Sequence, residues 1–202
     1  MKLYHSPTSP YVRKVMITLL ETGQRDEVEL VPTSGTPLAP APGFSARNPL
    51  TKVPALERAE GATLYDSRVI CQYLDARVGG GLYPGGERRW EVLTLEATGD
   101  GILDAALLMV YEKRLRAEDA RSDKLIEAQW AKISQACDAL EARWLGHLAG
   151  RIDAGQIAVA CALGYLDLRH EARNWRAGRT GLSSWFAGFS ERDSFTRTAP
   201  PV

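Results

Sequence analysis

MKLYHSPTSPYVRKVMITLLETG, residues 1–23, reads as a strand, a tight turn and a helix. Lys2 to Tyr4 make a short strand. His5-Ser6-Pro7-Thr8 is turn chemistry: proline presets φ, and Ser and Thr hydroxyls bond the nearby backbone. Ser9 has the features of an N-cap and Pro10 those of the first helical residue. Val12, Val15, Met16, Leu19 and Leu20 then recur at helical spacing, and Gly23 stops the helix. The plainest use of Ser9 is a cap. A second use is chemical: the turn aims a hydroxyl, and the N–H groups of a helix start, at whatever lies beyond the strand end. A helix N-terminus favours negative charge by roughly 0.3–1 kcal/mol when exposed, which suits a thiolate or a carboxylate.

Outward from this unit, Glu27 to Val31 reads as a second strand. Residues 32–49 are rich in Pro, Gly, Ser and Ala and read as loop, with one helical turn near Phe44 to Arg47. Lys52 to Leu56 reads as a third strand with Pro54 at its start or edge. Glu60-Gly61 is a turn, and Ala62 to Tyr65 a fourth strand. Asp66-Ser67 caps a helix carrying Val69, Ile70, Tyr73, Leu74 and Val78, and glycines 79–81 end it. The βαβ start implies a parallel pair and the closing hairpin adds antiparallel strands.

The domains expected are 1–79, mixed α/β, a Gly-rich linker at 80–86, and an all-helical 87–202. In the second domain, residues 88–116 read as one long helix. Gly99-Asp100-Gly101 marks a kink or the close approach of another backbone. Ser122-Asp123 starts a helix whose buried stripe runs from Ile126 to Leu148. Asp153 caps the next, apolar nearly all round and therefore central, with Gln156 reaching back as in a capping box. Leu182 to Glu191 is a shorter helix.

The chain has 202 residues, with 25 Lys+Arg against 25 Asp+Glu, so no basic face for nucleic acid is implied. No stretch approaches the roughly 20 apolar residues of a membrane span, and the N-terminus lacks the build of a signal peptide. Cys71, Cys137 and Cys161 are odd in number and at no ligand or redox spacing. Buried free thiols in a reducing cytoplasm, and no metal, are the expectation. His5, His147 and His170 read as surface or locally satisfied side chains.

A small mixed α/β domain followed by an all-helical one resembles a cytosolic glutathione transferase, whose first domain has the thioredoxin-like fold. The opening SPTSPYVRK resembles the Ser-Pro-x-x-Arg helix start of serine-type and bacterial members. Asn48-Pro49-Leu50-Thr51-Lys52-Val53-Pro54-Ala55-Leu56 is similar to the family's Asn-Pro-x-Gly-Lys-Val-Pro-x-Leu run, with Thr51 where Gly is common. Asp66-Ser67 stands where members carry Glu/Asp-Ser. Asp153 to Ile157 resembles the buried capping box, with Asp and Gln at its key places. The ending from Arg192 to Pro201 resembles bacterial members.

The resemblance implies a role for each residue. Ser9 donates a hydrogen bond to the glutathione thiolate, with Tyr4 as rival for that place. Pro54 is cis, and the Val53 backbone pairs with the tripeptide as an added strand does. Ser67 and its helix start hold the γ-glutamyl carboxylate, Asp66 the ammonium, and Lys52 the glycyl carboxylate. Pro7, Tyr11 and Tyr111 border the electrophile. Asp100-Gly101-Ile102-Leu103-Asp104 resembles a run in which the second Asp reaches the glutathione of the neighbouring subunit, implying a homodimer completed by Asp104. The four-residue spacing puts Asp100 and Asp104 on one helix face. Conjugation of glutathione to an electrophilic small molecule is the expected activity. Glutathione-dependent reductase, peroxidase, dehalogenase or isomerase chemistry stands beside it, as does a non-enzymatic ligand-binding role. A glutaredoxin-type oxidoreductase needs Cys where Ser9 stands.

Overall fold

The computed structural model describes residues 1–201. The chain divides into two compact units: Met1–Pro84 together with the segment beginning at Asp193, and Gly85–Arg192.

In the first unit, β1 (Lys2–His5), α1 (Pro10–Glu21) and β2 (Glu29–Pro32) form the βαβ start. β1 pairs in parallel with β2, with Leu3 opposite Leu30, and antiparallel with β3 (Ala55–Glu57), with Leu3 opposite Leu56. The sheet order is β2-β1-β3. β1 is central because its Leu3, fully buried, meets neighbours on both sides. α1 and α2 (Ser67–Val78) cover the sheet, and Leu3, Val15, Leu19, Val28, Leu56, Ile70, Cys71 and Leu74 close the core.

Three strand expectations shift. β2 starts two residues later than Glu27, because Arg25–Glu27 closes a 3-10 turn first. β3 starts at Ala55: Pro54 has no N–H to give, and the Asn48 side chain takes the Lys52 carbonyl at 2.7 Å. The fourth strand, expected over Ala62 to Tyr65, contracts to one bridge between Leu56 and Leu64. The Arg58 guanidinium bonds the Ala62 carbonyl at 2.9 and 3.2 Å, occupying an acceptor that a longer ladder would use. The helical turn near Phe44 is a 3-10 turn at Phe44–Ala46.

The second unit is helical: α3 (Arg88–Leu115), α4 (Asp123–Arg143), α5 (Leu145–Leu148), α6 (Ala154–His170) and α7 (Thr180–Ser190). α6 is its centre. Residues Ile157 to Leu163 are all at most 1% exposed. α3 passes through Gly99 and Gly101 without a break, so of the two readings of that stretch the close approach holds. A Cβ at Gly99 would lie 2.6 Å from the Ala158 carbonyl carbon, so only glycine lets α3 and α6 meet there.

Asp153 caps α6 and is buried. Its Oδ1 accepts the Gln156 N–H at 3.0 Å, and its Oδ2 meets His147 Nε2 at 2.8 Å and Arg88 at 3.4 Å. Gln156 does not reach back to the Asp153 N–H as in a capping box. Its amide donates to the carbonyls of Arg151 at 2.9 Å and His147 at 3.2 Å, because the loop before the helix curls under it. After α7, α8 (Asp193–Thr196) groups with the first unit and packs on α1.

Candidate active site

The turn between β1 and α1 is made by the Ser9 N–H donating to the Ser6 carbonyl at 3.1 Å. Ser9 is the N-cap, in extended backbone, and Pro10 is the first helical residue. The Ser9 Oγ accepts from the Val12 N–H at 3.3 Å. A hydroxyl also has one proton to give, and among the described residues the Ser9 proton has no acceptor.

Tyr4 is placed otherwise. Its hydroxyl donates to Glu57 Oε2 at 3.0 Å and accepts from Arg47 Nε at 2.9 Å, and its ring packs on Phe44. A phenol tied at both its donor and acceptor is not free for a thiol. No spacing in the sequence signals this clamp, since Arg47 lies 43 residues away.

Pairing brings the other first-unit residues to the same end of the sheet. Tyr4 opposes Ala55, so Val53 and Pro54 follow beside the end of β1 and its turn. Leu64 bridges Leu56 antiparallel, so Asp66 returns beside Pro54. The Val53–Pro54 bond is cis, as is Tyr65–Asp66. Among the described residues the Val53 backbone N–H and C=O have no hydrogen-bond partner. A tight turn precedes them. Asn48, 2% exposed, accepts the Leu50 N–H at 2.9 Å through its side chain, and the Thr51 N–H donates to its carbonyl at 2.8 Å. Thr51 has φ 53°, the left-handed region, which explains why glycine suits that place. Lys52, just past the turn, is exposed.

Asp66 caps α2 through its Oδ1, which accepts the Arg68 N–H at 3.0 Å, while Oδ2 pairs with the Arg68 guanidinium at 3.1 Å. Both partners are about half exposed, so this pair is weak and open to exchange. Arg68 is a partner that the sequence reading missed. Ser67 is 2% exposed, in the first turn of α2. His5, next to the turn, is held below the usual histidine range by burial and then by Arg25, so it is neutral near pH 7.

Pro7 is exposed and Tyr11 half-buried, flanking Ser9 in sequence. Tyr111 and Asp104 belong to the second unit. Burial pushes the Tyr111 hydroxyl up, which keeps it a proton donor at neutral pH. Asp104 is exposed, whereas Asp100 one turn earlier is buried, so the two are not a pair of solvated aspartates. Cys71, Cys137 and Cys161 are all buried and outside any disulfide, and burial pushes the Cys137 thiol up to about 11. Among the described residues no cluster of His, Cys, Asp and Glu is arranged to hold a metal ion, and no helix is long and apolar enough to cross a membrane.

Residues 3–81 match the glutathione S-transferase N-terminal domain, and residues 123–188 match the C-terminal domain. An Escherichia coli (strain K12) protein described as the uncharacterized GST-like protein YibF is 37% identical over 209 residues, spanning 100% of this chain and 99% of that one. The chain belongs to the glutathione S-transferase family. Solved family members carry the same fold. A glutathione transferase family member from Pseudomonas fluorescens Pf-5, solved with bound glutathione, is 46% identical, with a TM-score of 0.97, over 100% of this chain and 99% of that one. A structure from the same organism with bound S-(propanoic acid)-glutathione is 45% identical, with a TM-score of 0.93, over 100% of both chains. A thioredoxin-like first domain with a mixed three-stranded sheet and an all-helical second domain is the transferase fold.

Proposed function

We propose that this family member binds glutathione on its first unit and conjugates the thiolate to an electrophilic small molecule. The observation that carries the reading is the Ser9 hydroxyl, which accepts from the Val12 N–H and keeps its own proton for an acceptor at the start of α1. Glutathione bound to the Pseudomonas fluorescens relative supports the ligand, and the thioether bound there supports a site that extends past the sulfur.

The energetics suffice. A free thiol titrates near about 8.5, leaving about 3% thiolate at pH 7. Lowering that by two units takes about 2.7 kcal/mol. A hydrogen bond to a charged group contributes about 1.5–3 kcal/mol. The helix start contributes about 0.3–1 kcal/mol. Ser9 therefore acts as a donor to the thiolate and not as a nucleophile. The thiolate attacks the electrophilic carbon; the new C–S bond forms as the leaving group departs or, in an addition, as a proton is taken up. Pro7, Tyr11 and Tyr111 are the residues proposed to face the electrophile.

The unpaired Val53 backbone receives the tripeptide as a strand partner. Ser67 and the α2 N–H groups take the γ-glutamyl carboxylate, Asp66 exchanges Arg68 for the ammonium, and Lys52 meets the glycyl carboxylate. The working form is a homodimer in which Asp104 of each subunit completes the site of the other, and the compartment is the cytoplasm.

The test is the ultraviolet absorbance of bound thiolate against pH, in wild type and in Ser9→Ala. The variant should raise the bound thiol's titration by about one unit or more while glutathione affinity stays within about threefold. An unchanged titration would return Ser9 to a capping role. Turnover screens with electrophiles, peroxides and mixed disulfides separate conjugation from reduction.

A further inference from the structure

The hydrogen bond that caps α1 is long. At 3.3 Å, Val12 N–H to Ser9 Oγ lies beyond the usual 2.7–3.2 Å, and first turns fray. Local capping therefore fixes the Ser9 hydroxyl loosely, whereas chemistry at a bound sulfur needs it placed closely. A misplacement of about 1 Å costs on the order of a hundredfold in rate.

A second restraint comes from the other end of the chain. Arg13 closes the first turn, its backbone N–H donating to the Ser9 carbonyl at 3.0 Å. Its side chain is held by the C-terminal segment. Nη2 donates to the Phe195 carbonyl at 2.9 Å, Nε donates to Thr198 Oγ1 at 3.4 Å, and the guanidinium lies 3.6 Å from the centre of the Phe195 ring. Phe195 is itself 6% exposed, so the ring face is fixed. Thr198 is anchored in turn by donating to the Ser194 carbonyl at 2.8 Å. At the far end of α1, the Ser194 hydroxyl donates to Glu21. The segment thus grips α1 in its first turn and in its last. The segment is tied to the helix that presents Ser9.

We infer that Arg13 is a positioning residue for Ser9, and that Phe195, through its carbonyl and its ring, is what holds it. The inference rests on the reading above that Ser9 meets a thiolate. Arg13 acts through the peptide it shares with the first turn. Planar stacking together with the directed Nη2 bond to the Phe195 carbonyl needs a guanidinium, so lysine cannot replace it.

Arg13→Lys keeps the charge and loses the fork and the stack. Phe195→Leu keeps most of the buried apolar volume, so the fold survives, and loses the ring face. Both variants should raise the bound thiol's titration by about half a unit to one unit and slow turnover about threefold to tenfold at pH values below that titration, with KM for glutathione changed less than about twofold. Without glutathione, hydrogen exchange at the Arg13 amide should quicken about tenfold or more in each. A purely structural role would lower the melting temperature and leave the thiol titration in place. A wild-type protein whose bound thiol titrates as free glutathione does removes the Ser9 reading and this one with it. A lowered wild-type titration, with either variant titrating as the wild type, overturns the positioning role and leaves that of Ser9 intact.

Discussion

Two single residues at the sheet end beside Ser9 carry testable energetics. Thr51 holds a left-handed backbone that costs a β-branched residue about 1–2 kcal/mol. Glycine removes that cost and gives back roughly half of it as unfolded-chain entropy. Thr51→Gly should therefore stabilise the protein by about 0.5 kcal/mol, read from urea midpoints at constant slope. A destabilised variant would mean that the turn delivering Lys52 and Val53 has another backbone. Asp66→Asn keeps a side chain able to cap α2 but cannot balance an ammonium, so glutathione should bind at least about fivefold more weakly with little change in melting temperature. Calorimetry decides it, and equal affinity would leave Asp66 as a cap paired to Arg68. The Asp66 cap was readable in the sequence because its signature is local, a short acceptor before an apolar helix; the left-handed backbone of Thr51 was not, since only the family resemblance marked that place as one where glycine is common. The commitment of Tyr4 to Glu57 and Arg47 was not readable, since it joins residues 53 and 43 apart through folding alone.

Among helices and strands, the caps were the most legible feature. Ser9, Asp66, Ser122 and Asp153 each accept the N–H two or three residues on, as their residue types and the helical patterns behind them implied. Capping chemistry completes itself within one turn, so sequence suffices. Strand lengths were not legible, because a ladder depends on which carbonyls remain free once side chains such as Arg58 and Asn48 have taken theirs. The Gln156 amide likewise found the carbonyls of its preceding loop, whose path no local pattern encodes. Asp153 shows what tertiary context adds to a cap. Beyond the Gln156 N–H it serves His147 and Arg88 from a buried position, so Asp153→Ala should cost about 2–3 kcal/mol, the upper end of a cap plus part of a charged hydrogen bond. For a chain of this length that lowers the melting temperature by roughly 4–12 °C. An unmoved melting point would place the start of α6 elsewhere.

For the molecule as a whole, the two-part architecture was legible from the loss of strand patterns after the glycine-rich stretch. The return of the C-terminal segment to the first unit was not, because its contact between Arg13 and Phe195 spans 182 residues. Assembly is the remaining prediction at this level. Asp104 is exposed on α3, and in a homodimer with shared sites Asp104→Asn should weaken glutathione binding while light scattering still gives a dimer. Combined with Asp66→Asn its effect should be non-additive, because both carboxylates face one ammonium. A monomer at micromolar concentration, or strictly additive losses, would confine the site to one chain. A further consequence follows from the burial of all three cysteines, with the Cys137 thiol held up near about 11. A protein of the proposed kind gathers alkylating agents around itself and risks being their first casualty. Here all three of its own thiols are buried, and burial keeps that of Cys137 protonated. In the proposed reaction the ionised thiol that such a reagent would meet belongs to glutathione and leaves with the product, while the protein's own thiols stay covered.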